Sequence, residues 1–118
     1  MTTAGAVLAV LLAGVAGGGA HAFLDRADPR VGSTVRTPPA QVRLWFTESL
    51  EPAFSSVRVV NEAGQRVDRG DSQVDPADLA LLRISLPALA PGTYKVIWRV
   101  LSVDTHVTEG DFTFRVAP

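Results

Sequence analysis

The sequence predicts an all-β domain, an antiparallel β-sandwich or Greek-key barrel. Three observations carry this. After residue 40, apolar and polar residues alternate with period two in separate runs. Turn signals stand between those runs. No amphipathic helix of useful length can be drawn anywhere in the chain.

In chain order, the first twenty residues carry no charged side chain, and Ala4 to Ala16 is almost wholly apolar. That run is short for a membrane span, which needs roughly 20 apolar residues. It suits the apolar region of a secretory signal ahead of small residues fit for cleavage. Residues 1–20 are therefore expected to be a signal peptide, and 21–118 a single domain. Met1-Thr2-Thr3 lacks the usual Lys or Arg, so an uncut N-terminal anchor is the competing reading. Cleavage after Ala20 would make His21 the first residue. Ala20 and Ala22 also satisfy an Ala-x-Ala pattern, and cleavage after Ala22 would discard that histidine.

Beyond the leader come Asp28-Pro29, Val31-Gly32-Ser33 and Thr37-Pro38-Pro39, all turn signals. Val42, Leu44 and Phe46 then alternate with Arg43 and Trp45. Asn61 to Asp78 is polar and reads as a hairpin tip plus a mobile surface loop, with Asp75 to Leu79 fit for one short helical turn. Leu82, Ile84 and Leu86 alternate with Arg83 and Ser85. Pro91-Gly92 precedes a longer run with Tyr94, Val96, Trp98 and Val100 on one face. Phe112, Phe114 and Val116 close the chain. On this pattern Trp98 belongs to the core. Trp45 and Arg99 lie on alternate faces, where Arg99 could pair with Glu48 or Asp104.

Composition excludes several classes. The chain has 11 basic and 12 acidic residues, scattered, for a net charge of −1. Without a basic stripe, no nucleic-acid partner is expected. There is no cysteine, and the one methionine is Met1. The exported domain must then rely on its core rather than on disulfides, and no thiolate metal site is open to it. After the leader, no segment could insert stably in a membrane.

The chain has only two histidines, His21 and His106. In an extended Ser102-Val103-Asp104-Thr105-His106, Asp104 and His106 would share a face, since side chains two apart do. As a first residue, His21 would offer its α-amine and ring Nδ1 as one chelate. The amine has an ordinary pKa of roughly 7.7–8.0, so a polarising metal displaces its proton near neutral pH. Two imidazoles, an amine and a carboxylate form a nitrogen-rich tetragonal set, which favours Cu(II). Zn(II), which prefers a tetrahedron, is the competing metal. A surface histidine beside a turn-forming Asp is the plainer reading of the same residues. Glu48 and Glu51 could be imagined as paired acids for glycoside hydrolysis. In so small a domain they read better as rim charges.

The order of motifs adds a resemblance. His21-Ala22-Phe23-Leu24 with Asp28-Pro29 and Gly32-Ser33 resembles the mature start of the CopC family of copper-binding proteins. Leu44-Trp45-Phe46-Thr47-Glu48-Ser49-Leu50-Glu51-Pro52-Ala53-Phe54-Ser55 resembles its next motif. Pro91-Gly92-Thr93-Tyr94-Lys95-Val96-Ile97-Trp98-Arg99-Val100, then Ser102 to His106, then Gly110-Asp111-Phe112-Thr113-Phe114, resembles its last. Together these cover nearly all of Ala20 to Val116. The resemblance implies an immunoglobulin-like Greek-key barrel exported to the periplasm or cell exterior. It implies one Cu(II) per chain, held by the amine and imidazole of His21, the carboxylate of Asp104 and the imidazole of His106. Glu48 would be an outer or weak ligand. It implies a monomeric carrier for copper resistance or homeostasis, not an enzyme, with a CopD-like membrane importer as partner. Some members have a methionine-rich loop for Cu(I); Asn61 to Asp78 has no methionine, so a Cu(II)-only variant is expected. Two other classes compete. One is an oxidative copper enzyme with a histidine brace, like the polysaccharide monooxygenases. The other is an immunoglobulin-like structural domain without metal.

Overall fold

The computed structural model describes residues 21–118, so the leader expected over residues 1–20 lies outside the described residues. Among the described residues, eight strands form two four-stranded sheets. They are β1 (Leu24–Asp28), β2 (Thr34–Val35), β3 (Gln41–Phe46), β4 (Ser56–Val60), β5 (Gln73–Asp75), β6 (Asp78–Ser85), β7 (Gly92–Leu101) and β8 (Val107–Val116). One sheet runs β1-β3-β6-β5 and the other β2-β8-β7-β4. Every pairing is antiparallel except the short β2–β8 pair, which is parallel. The all-β sandwich is therefore as expected. Among the described residues no helix is long and apolar enough to cross a membrane.

The alternating runs became strands because one face of each enters a shared core. Val42, Leu44, Leu82 and Ile84 come from the first sheet; Val57, Val59, Val96, Val100, Phe112, Phe114 and Val116 come from the second. Each fully buried Val, Leu, Ile or Phe contributes roughly 1.5–3 kcal/mol. In a domain without disulfides, this core carries the fold. Trp98 differs from expectation. It is only partly buried, packed edge-on against Phe46 and tilted on Phe112. Gly110 lies opposite it in β8, where a Cβ would come within 2.3 Å of the indole. Only glycine leaves room for that ring.

Two local expectations fail. Asp75 to Leu79 is no helical turn: Asp75 pairs with Asp78 across the tight β5–β6 turn, and the Asp75 carboxylate accepts the Ala77 N–H. A side chain that hydrogen-bonds its own backbone two residues on favours a turn over a helix. Asn61 to Asp78 is also not a loose loop. It contains β5, and Asp68 and Ser72 accept the Val59 and Val57 N–H groups along the free edge of β4. Asp71 accepts the Ser85 N–H. The polar residues that suggested mobility are the ones that pin the segment. The one helical element among the described residues is a 3-10 turn, Pro52–Phe54, opened by Pro52.

Candidate metal centre

Three segments meet at one end of the sandwich: residues 21–24 before and into β1, the β3–β4 connection, and the tip of the β7–β8 hairpin. The N-terminal arm is held mainly through its backbone. Phe23 donates its N–H to Thr47 Oγ1 at 3.0 Å, and its carbonyl accepts the Thr47 N–H at 2.9 Å. Thr108 Oγ1 donates to the Ala22 carbonyl at 2.7 Å. Ala22 itself is fully buried and belongs to the core. His21 is exposed, so the arm plugs into the core while presenting its first ring to solvent.

The hairpin tip is built differently. Thr105 N–H donates to the Ser102 carbonyl, and Ser102 N–H to the His106 carbonyl. Thr105 has φ +73°, the left-handed residue that closes a three-residue hairpin loop with a bulge. Ser102 to His106 is thus a tight turn and not an extended strand. Asp104 and His106 are neighbours all the same: Asp104 Oδ1 lies 3.7 Å from His106 Nδ1. The turn, rather than strand periodicity, brings them together. Ser102 is fully buried, and its hydroxyl donates to Asp104 Oδ1. That hydrogen bond, followed by the approach of His106, holds the Asp104 carboxyl below the usual carboxylate range despite a smaller opposing effect of desolvation. The carboxylate is accordingly ionised at neutral pH.

The His21 ring stacks on His106 with centroids 4.6 Å apart and planes 21° from parallel, and Phe23 stacks on His21 at 5.8 Å. His21, Asp104 and His106 are thus brought together. Among the described residues, however, no three His, Asp or Glu side chains converge on one point. The stacked imidazoles must turn about their side-chain bonds to face a common centre, and both are exposed enough to do so. Glu48 is half-buried between Thr47, bonded to the arm, and Ser49, whose carbonyl accepts the Val103 N–H. It shares this end of the molecule without joining the imidazole–carboxylate cluster. Trp45 lies away from the site, with the Arg26 guanidinium 3.8 Å above its ring and Arg43 at 5.2 Å. Arg99 pairs with Glu109 at 3.1 Å, not with Glu48 or Asp104.

The anchoring residues Thr47, Ser102 and Thr108 received no role from the sequence. Ser102 had a local signal: a Ser two residues before an Asp at a hairpin tip is a turn former. Thr108 had none, because its partner Ala22 is remote in the chain.

Comparison with known proteins bears on the fold and the family. The crystal structure of CopC from Methylosinus trichosporium OB3b superposes with a TM-score of 0.78 at 37% identity, covering 83% of this chain and 95% of that one. PcoC, a methionine-rich copper resistance protein from Escherichia coli, superposes with a TM-score of 0.71 at 33% identity, over 82% of this chain and 99% of that one. The copper transport protein CutJ of Bacillus subtilis is 29% identical over 98 residues, 82% of this chain but 18% of CutJ. The CopC domain matches residues 24–117, from β1 to the residue after β8, and with these likenesses it places the chain in the CopC family.

Proposed function

We propose that the chain is an exported copper-binding protein that holds one Cu(II) at the His21–Asp104–His106 end of the sandwich. The ligands would be the α-amine and imidazole of His21, the imidazole of His106 and the carboxylate of Asp104, with Glu48 outside them. The observation that carries this reading is the stacking of the chain's only two histidines beside an ionised aspartate. The donor chemistry fits. Nitrogen and carboxylate oxygen suit Cu(II), whereas Cu(I) prefers the thiolates and thioethers that residues 21–118 lack.

The amine ligand requires processing, because the His21 nitrogen is an amide while Ala20 precedes it. The buried Ala22 favours cleavage after Ala20: cutting after Ala22 would remove a core residue together with the histidine. Processed at Ala20, the protein works outside the cytoplasm as a monomer, serves copper resistance or homeostasis, and passes its ion to a CopD-like membrane importer. The match to part of a larger copper transport protein supports that coupling. The role is carriage, not catalysis. Asp104 would take a place in the copper plane that an oxygenase leaves open.

Three proteins test the reading: one beginning at His21, one at Phe23, and one with an extra Gly before His21. Titrations with Cu(II), read by electron paramagnetic resonance, should give tight binding and one nitrogen-rich tetragonal spectrum only for the His21 protein. The Phe23 protein should bind weakest. Because Gly-His can bind copper itself, the spectrum as well as the affinity is read. Equal affinities and identical spectra for all three would overturn the assignment, as would tight Cu(I) binding in competition.

A further inference from the structure

The exposed apolar side chains are concentrated at one end of the sandwich. Among the described residues the exposed large hydrophobic side chains are Phe23, Val31, Phe54, Leu79, Val103 and Val107. All but Val31 lie on segments that meet at the end of the sandwich that carries the two histidines. Phe23 stacks on His21. Val103 and Val107 flank Asp104 and His106 in the hairpin. Leu79 joins the same end through its carbonyl, which accepts the Leu50 N–H, and Leu50 bridges Ser102. Phe54 follows Glu51, whose N–H donates to Leu101 at the end of β7. Phe54 is 70% exposed and Phe23 58%. Exposed large apolar side chains gathered at one end of a domain mark an interaction surface more often than singly scattered ones do.

Charge at this end is one-sided. Residues 21–24, 47–55, 76–80 and 101–108 contain Glu48, Glu51, Asp78 and Asp104 and no Lys or Arg. All 11 basic residues lie elsewhere. Of those on adjoining strands, Arg26 covers the Trp45 ring and Arg99 is paired with Glu109.

We propose that this acidic, apolar-rimmed end is a docking face for a protein surface that presents Lys and Arg around an apolar patch. Resting on the carrier reading above, that surface is the extracytoplasmic face of the membrane partner receiving the copper. Charge selects this occupant over the others. An anionic lipid surface would repel the carboxylates of Glu48, Glu51 and Asp78, which stay free in the loaded protein. Two copies meeting end to end would oppose acid to acid, which costs affinity. Docking here brings the recipient directly over His21 and His106, so the ion moves without crossing bulk water.

The test uses a CopD-like importer in phosphatidylcholine nanodiscs as the probe, with empty phosphatidylcholine and empty phosphatidylserine discs beside it. Copper-loaded protein beginning at His21 should bind importer discs alone, more weakly as salt rises. Phe54→Ser, Leu79→Ser and Glu51→Lys should each weaken that binding roughly tenfold or more, with Cu(II) affinity unchanged. The three side chains are surface groups outside the metal cluster, and circular dichroism verifies their folds. Binding unaffected by all three substitutions would overturn the proposal. So would binding to empty phosphatidylserine discs, or self-association in sedimentation that Phe54→Ser abolishes. Absence of importer binding with Cu(II) affinity intact would overturn the docking face and leave the metal reading standing. Absence of Cu(II) binding by the parent protein would overturn the metal reading itself.

Discussion

The two histidines reach the same end of the molecule by opposite means. His106 belongs to a hairpin tip whose hydrogen bonds are nearly all local: Ser102, Asp104, Thr105 and His106 satisfy one another within five residues. His21 belongs to an arm with almost no local structure, fixed by the distant Thr47 and Thr108 and by the buried Ala22. The tip is preorganised by turn chemistry. The arm is preorganised by tertiary contacts and exists only once the sandwich has formed. A site of this kind can be damaged from either side, with different signatures.

The largest effect should come from the tip's own donors. His106→Ala removes an imidazole and should lower Cu(II) affinity more than the roughly 10–100-fold that loss of an outer-sphere partner costs. The half-exposed ring carries little of the fold, so thermal stability should scarcely change. Asp104→Asn keeps the size but loses the charge, and should cost less than His106→Ala in the same competition assay. If both variants bound like the parent, the tip would not be the site.

The arm is broken without touching any donor by Thr108→Val. This near-isosteric change removes the hydroxyl that donates to the Ala22 carbonyl. An unpaired carbonyl costs about 1–3 kcal/mol. Amide exchange should quicken over residues 21–24 but not over 102–106, and Cu(II) affinity should fall roughly tenfold. Equal acceleration in both segments would show that arm and tip are one cooperative unit.

Ser102→Ala tests the tip in turn. Its hydroxyl is the main cause of the lowered Asp104 pKa. A carboxyl whose folded pKa lies below its unfolded value stabilises the fold above the unfolded value, about 3.9. That stability is lost as pH falls through the folded value. In Ser102→Ala the carboxyl should titrate higher, in the direction of that ordinary value, as followed by carboxyl carbon NMR on the metal-free protein. Protons should then compete with Cu(II) from a higher pH downward. An unchanged Asp104 titration would mean that the hydroxyl does not set it.

The smallest effect is expected at Thr105. A non-glycine residue in the left-handed region costs on the order of 1–3 kcal/mol, and glycine returns part of that as backbone entropy. Thr105→Gly should therefore raise stability by less than about 1 kcal/mol in thermal unfolding, with Cu(II) affinity nearly unchanged. A clear loss of affinity would show that the stiff, branched residue positions Asp104 and His106.

Legibility followed the same division. Strands β3, β6, β7 and β8 were readable because each buries alternate residues in the core. β1 was not: in Leu24–Asp28 only Ala27 is buried, and a bulge between Leu24 and Arg26 breaks the pairing register, so no period-two signal exists. β5 is only three residues, with Val74 alone apolar between Gln73 and Asp75, and is made a strand by its neighbour β6. His21, Asp104 and His106 were singled out from residue chemistry and family resemblance, and they do lie together, but the turn, not strand alternation, brings Asp104 to His106. An alternation argument cannot foresee a left-handed threonine. The clamps on the arm were invisible, since a threonine hydroxyl bonded to a carbonyl 86 residues away leaves no local pattern.

The crowding of Gly110 by Trp98 has an optical consequence. The indole is pressed flat over β8, and its remaining surface lines a cleft with Ala22, Phe23, Leu24 and Thr108. The wall of that cleft is the arm itself. Release of the arm admits water to one indole and shifts its emission to longer wavelength. Trp45, beside two guanidinium groups on the opposite sheet, gives a steady background. The molecule carries a fluorescent gauge of whether its first residues are seated, readable before any metal is added.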